Sequence, residues 1–211
     1  MEIAVHPDKR IVVMAPKHTA LADIKDRVKR RARWIKKQIN YFRQFDPRTP
    51  PRSYVNGESH LYLGKHYRLR IDKAKEPCVK LVRGKLFVYL EGDASEDTVK
   101  CYLESWYKER AKVKLTESFE RCLVKFTRKG FKRPVLQFRA MKTRWGSLSK
   151  KGTLTLNPVL IRAPKECIEY VITHELCHLK YHDHSPAFYK LLERVMPDWE
   201  KRKHRLELAL V

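Results

Sequence analysis

His174-Glu175-Leu176-Cys177-His178-Leu179-Lys180-Tyr181-His182-Asp183-His184 is the stretch whose reading decides the fold. On a helix, His174 and His178 stand four residues apart on one face, so both imidazoles reach one divalent cation at about 2.0–2.1 Å. Glu175 points off that face. It is not placed to ligate the same ion, but it can hold a water beside it and act as general base. The spacing predicts a helix over residues 164–181. Pro164 suits a first helical position, Glu166 sits in the first turn, and Ile168, Val171, Ile172, Leu176 and Leu179 keep apolar spacing.

A third ligand follows from reach. On an unbroken helix His182 would lie about 12 Å along the axis from His174, too far for one ion. His184 comes within range only if the chain turns after about residue 181. Ser185-Pro186 supplies that turn as the cap and first position of a new helix, whose apolar face is Phe188, Leu191, Leu192 and Val195. His184 is the expected third ligand, with Glu193 and His182 as rivals. Three protein ligands and an adjacent carboxylate describe an open, hydrolytic Zn2+ site better than a closed structural one. Negative charge developing on a substrate carbonyl needs a second donor. Cys177, inside the motif, reads as a packed thiol.

At these residues the chain resembles the YgjP-like zinc metallopeptidases, relatives of the SprT and WLM groups within the zincins. The likeness runs from Met141-Lys142-Thr143-Arg144-Trp145-Gly146-Ser147 through Leu154-Thr155-Leu156-Asn157 and Tyr170-Val171-Ile172-Thr173-His174 to His184-Ser185, Phe188 and Met196-Pro197-Asp198-Trp199. A weaker likeness reaches Tyr62-Leu63-Gly64. The resemblance implies a third ligand at His184, a polypeptide substrate, and a substrate-pairing edge strand around Thr153–Asn157. It also makes Arg144, in the family-like Arg-Trp-Gly-Ser turn, the first candidate for the second donor, with Tyr181 the second candidate; Arg144 could equally serve a structural ion pair. Asn157 itself either orients substrate or ends that strand. The family commonly has Cys after Arg-Trp-Gly-Ser; Leu148 stands here, which argues against a thiol being needed at that position. The family has also been associated with metal-dependent nucleoside triphosphate (UTP) pyrophosphatase activity. Against that reading, the chain has neither a glycine-rich phosphate loop nor a magnesium-type carboxylate cluster. A basic nucleic-acid-associated protein with a structural zinc is the remaining alternative.

Charge is the second unusual property. Among 211 residues, 47 Lys and Arg stand against 24 Asp and Glu, a formal +23, which favours polyanions and acidic surfaces. Much of it lies between Lys17 and Arg52, on an expected amphipathic helix with Leu21, Ile24, Val28, Ile35, Ile39 and Phe42 along one side. That stretch reads either as a nucleic-acid or other polyanion surface or as a solvated basic face. Five cysteines without paired close spacing suit a reducing compartment. With no apolar segment long enough to span a membrane and no apolar leader pattern, the expectation is a cytoplasmic protein without membrane contact.

Along the chain, Ile3–Met14 reads as a strand pair and Asp46–Pro51 as a stiff connection. Strands are expected around Tyr62/Leu63, Tyr67/Leu69/Ile71, Val79/Leu81 and Leu86/Val88/Leu90, with turns at Gly64 and Arg83-Gly84. Ser95 can cap helical segments reaching about residue 128, and 135–139 and 153–156 read as further strands. The fold class expected is α+β. A basic, strand-rich N-terminal portion with one amphipathic helix (1–92) precedes a helical, zincin-like catalytic domain (93–211) with a short sheet and the HExxH helix.

Overall fold

The computed structural model describes residues 1–5, 10–43, 52–92, 94–127 and 130–210. Its fold is α+β, and it divides into two compact units, residues 1–51 and 52–210. The expected connection at 46–51 lies outside the described residues.

The first unit pairs β1 (Glu2–Val5) with β2 (Ile11–Met14) in antiparallel register. The single amphipathic helix expected here is two: α1 (Leu21–Arg30) and α2 (Ala32–Arg43). Arg31 sits at φ −93°, ψ 3°, and its N–H is shared between the carbonyls of Arg27 and Val28 at 3.2 and 3.1 Å. The helix tightens there and restarts, with Ile35 N–H bonded to Arg31 O. Ile35 is the residue of these two helices that is buried; α1 buries none.

The second unit opens with β3 (Ser59–Tyr62), β4 (Lys65–Lys73), β5 (Cys78–Val82) and β6 (Lys85–Leu90) in the order β3-β4-β6-β5. β4 and β6 run parallel; the other two pairings are antiparallel hairpins. Both hairpins turn on two residues with positive φ, Leu63-Gly64 and Arg83-Gly84, the geometry that matches the right-handed twist of the flanking strands. Helix α3 (Glu96–Thr127) is one continuous element of 32 residues, and Ser95 Oγ accepts the Thr98 N–H at its start. A second sheet, β7 (Val135–Phe138), β8 (Gly146–Leu148) and β9 (Thr153–Leu156), is ordered β7-β9-β8. A 3-10 turn over Pro158–Arg162 leads to α4 (Lys165–Cys177), followed by α5 (Pro186–Val195) and α6 (Trp199–Leu210).

The expected division at residue 92 falls inside this unit. Leu69, Leu86 and Val88 of the first sheet are fully buried in one core with Leu103 and Phe119 of α3 and Leu156 and Ile172 beyond it. Burial of each such side chain contributes roughly 1.5–3 kcal/mol. The β3–β4 turn also docks on the 3-10 turn, through Leu63 N–H to Ile161 O at 2.8 Å and Gly64 N–H to Arg162 O at 3.0 Å. Gly64 has φ +76° and lies so close to α4 that a Cβ there would meet Pro164 Cα at 2.8 Å. Strand-rich and helical parts therefore share one core, and the chain divides at 51/52.

A second expectation changes here. The segment around Thr153–Asn157 is not an edge: β9 is the central strand, parallel to β7 and antiparallel to β8. The sheet edge packed beside α4 is β8. Among the described residues, no helix is long and apolar enough to cross a membrane.

Candidate metal centre

Helix α4 packs against α3, α5, α6 and β8, and nine of its thirteen residues are buried. It ends earlier than the sequence predicts, at Cys177, with His178 as its cap and successive tight turns from Leu179 to Tyr181. Those turns and the start of α5 at Pro186 bring His184 back over α4. His174, His178 and His184 each present a ring nitrogen, and these nitrogens lie within 4.8 Å of one another. His174 Nε2 faces His184 Nε2 at 3.0 Å. Three nitrogens around a tetrahedral zinc at 2.0–2.1 Å are roughly 3.3 Å apart; the His174–His184 pair is close to that spacing and the third nitrogen lies within reach of the same ion.

The tautomers suit the same purpose. His178 Nδ1 lies 2.8 Å from the Tyr181 carbonyl, which holds the proton on Nδ1 and leaves the Nε2 lone pair free. Burial pushes His174 down to about 3, reinforced by the neighbouring His178 and His184. Burial also lowers His178. Both imidazoles are neutral at physiological pH, the state a metal needs. Beneath the triad lies Phe188, fully buried, with its ring centroid 4.9, 4.7 and 4.9 Å from those of His174, His178 and His184. Sequence reasoning placed Phe188 on an apolar helix face; its role as the floor of the triad depends on the turn that folds α5 onto α4.

These residues open into a cleft of about 500 Å³, lined also by Arg144, Trp145, Gly146, Ser147, Leu148 and Tyr170. Glu175 lines it too, 8% exposed and outside the ligand cluster. Burial raises its carboxyl to about 7, opposed by a hydrogen bond from the Leu148 backbone and by the positive charge of Arg144. Gly146 admits this carboxylate: a Cβ there would meet Glu175 Cγ at 2.8 Å and Oε1 at 3.1 Å.

The other sequence-selected residues separate. Arg144 is exposed at the cleft and makes no ion pair among the described residues. Tyr181 contributes its carbonyl to His178, while its ring packs against the core with Lys180 Nζ 5.3 Å away and does not line the cleft. His182 lines the cleft outside the triad, and Glu193 is exposed on α5 and belongs to neither. Asn157 is a structural residue: its amide donates to Met141 O and Arg144 O at 2.8 and 3.2 Å, and its Oδ1 accepts the Val159 N–H. It fixes the loop that carries Arg144. Tyr170, one helical turn before His174, lines the cleft, a place the sequence does not single out for it. Its ring lies 5.9 Å from that of His174 and stacks on Trp199. The i−4 spacing was the available signal.

A family model for the YgjP-like metallopeptidase domain matches residues 1–209. The chain belongs to the YgjP-like metallopeptidase family. Membership makes it a hydrolase and implies a divalent metal, for which the His triad supplies a fitting donor set. Two crystal structures of metallopeptidase zymogens are similar over part of it. Abylysin from Pyrococcus abyssi shows 29% identity over 46% of this chain and 99% of its own, with a TM-score of 0.39. Jannalysin from Methanocaldococcus jannaschii shows 21% identity over 46% of this chain and 90% of its own, with a TM-score of 0.41. Among curated proteins none matches significantly.

Proposed function

We propose that this family member hydrolyses peptide bonds with a zinc ion held by His174, His178 and His184, and with Glu175 as general base. The observation supporting this reading is the convergence of three imidazoles and one separate, buried carboxylate in a single cleft. Zinc, when bound, supplies a Lewis acid and lowers the pKa of water towards 7. Glu175 accepts the proton released and returns it to the leaving amine. Arg144, at the cleft, offers positive charge to the oxygen of the tetrahedral intermediate, with the Tyr170 hydroxyl as second donor in place of the phenol of Tyr181.

An extended substrate has an edge to pair with. Asn157 N–H bonds Trp145 O and Ser149 N–H bonds Thr153 O, so odd-numbered residues of this strand face β9. By alternation, the backbone groups of Gly146 and Leu148 face the free edge. Leu148 N–H is held by Glu175; the others are available for strand addition.

The test compares purified chain with Glu175→Gln on peptide libraries and on a nucleoside triphosphate panel. Glu175-dependent peptide cleavage, abolished by chelation and restored by zinc, is the expected result. Glu175-dependent release of pyrophosphate from UTP, with no peptide cleavage, would overturn the proposal.

A further inference from the structure

The first sheet of the second unit has two unlike faces. One buries Leu69, Leu86, Val88 and Leu90 in the core. The other, by strand alternation, carries Phe87 and Tyr89 on β6 in its middle. These rings are half-buried, their centroids 5.8 Å apart and their planes 9° from parallel. The register surrounds them with cations. Phe87 stands between Arg70 on β4 and Lys80 on β5, and Lys85 stands beside Arg68. Lys80 Nζ lies 5.9 Å from the Tyr89 ring centroid. Arg68, Arg70, Lys80 and Lys85 are all exposed, and none forms an ion pair among the described residues. Asp72, beside Tyr89, is the one acidic side chain these strands place on that face.

An open sheet face is ordinarily polar throughout. Parallel aromatic planes inside a ring of unpaired cations match a different chemistry, in which bases stack on the rings while phosphates meet the flanking charge. Duplex DNA offers no free base faces to such a platform, because its bases are already stacked on one another. We propose that this face of the β3-β4-β6-β5 sheet binds single-stranded nucleic acid. The surface shares no residue with the metal cleft of the same unit.

The experiment measures fluorescence anisotropy of the full chain with 12-nucleotide single-stranded RNA, single-stranded DNA and duplex DNA at several salt concentrations. Tyr89→Leu and Phe87→Leu keep apolar cover but remove the stacking plane. Each should weaken single-strand binding about tenfold and leave the salt slope unchanged. Arg70→Gln and Lys80→Gln should weaken it while reducing the slope of log K against log salt by about 0.7 each. Preference for either the RNA or the DNA strand names the ligand and supports the platform. Circular dichroism and metal content should be unchanged in every variant; Tyr89→Phe, which keeps the ring, should retain affinity. Equal binding of duplex, equal binding of anionic lipid vesicles, or aromatic variants at full affinity would overturn the proposal. Loss of binding confined to charge reversals in α1 would overturn it too, and would move the polyanion site to the early basic helices.

Discussion

Replacing Gly146 by Ala tests how Glu175, the proposed general base, is seated. Gly146 lies outside the left-handed backbone region, so alanine meets no conformational barrier there. The cost is purely steric: its Cβ would fall 2.8 Å from Glu175 Cγ, against an ordinary carbon–carbon contact of about 3.5–4.0 Å. Glu175 or β8 must therefore give by about 0.7–1.2 Å. Overpacking of this kind costs roughly 1–3 kcal/mol of stability. A reacting group misplaced by about 1 Å loses on the order of 10²-fold in rate, equivalent to about 2.7 kcal/mol of transition-state stabilisation. The three imidazoles lie off this contact, so metal binding should survive. The expected outcome is a kcat about a hundredfold lower with one zinc per chain retained, measured by peptide hydrolysis alongside metal analysis and urea unfolding. Full kcat in a folded, metal-loaded variant would refute the claim that this glycine seats the carboxylate proposed as general base; loss of metal in parallel would place the damage at the ligands instead.

His184→Ala should sharply lower zinc stoichiometry while Glu193→Ala leaves it intact; the opposite pattern by metal analysis would move the third ligand to the carboxylate. His60, 1% exposed and facing Arg52, Glu58 and Arg162, is pushed down to about 4, chiefly by burial. Because the unfolded chain takes up that proton first, stability should fall as pH drops from 6.5 towards 4, by up to about 3 kcal/mol, and hold steady above 7. Urea unfolding at pH 7.5 and 4.5 should show a smaller pH difference in His60→Gln; an equal difference would dismiss His60 as its source. Gly64→Ala meets both a positive φ and the Pro164 backbone, so it should cost more than about 1 kcal/mol and lower Tm, with zinc still binding to the folded fraction.

The convergence of the three histidines was legible because its geometry is local. Two imidazoles at i and i+4 are placed by helical periodicity, and Ser185-Pro186 announces a new helix, which confines His184 to the vicinity of the first two. Strands, both positive-φ turns and the Ser95 cap were legible for the same reason, since each is a decision taken over a few residues. Tyr181 and Tyr170 show where that reasoning ends. Both lie close to the triad in sequence, but the tight turns after Cys177 direct the Tyr181 carbonyl to His178 and its ring to the core, whereas Tyr170 remains on the face of α4 that borders the cleft. Periodicity does not say which side chain a turn sends into solvent.

By itself, the sequence determined an α+β chain with a His-Glu-His helix, a returning third histidine and a large excess of positive charge. Tertiary structure alone decided that the early sheet shares the core of the catalytic part, that β8 rather than β9 forms the edge beside α4, that Gly146 makes room for Glu175, and that Phe87 and Tyr89 lie among unpaired cations. Each of these depends on contacts between segments far apart in the chain. A pattern of three or four residues sets local geometry, but strand order and close approach come only from packing the whole core together.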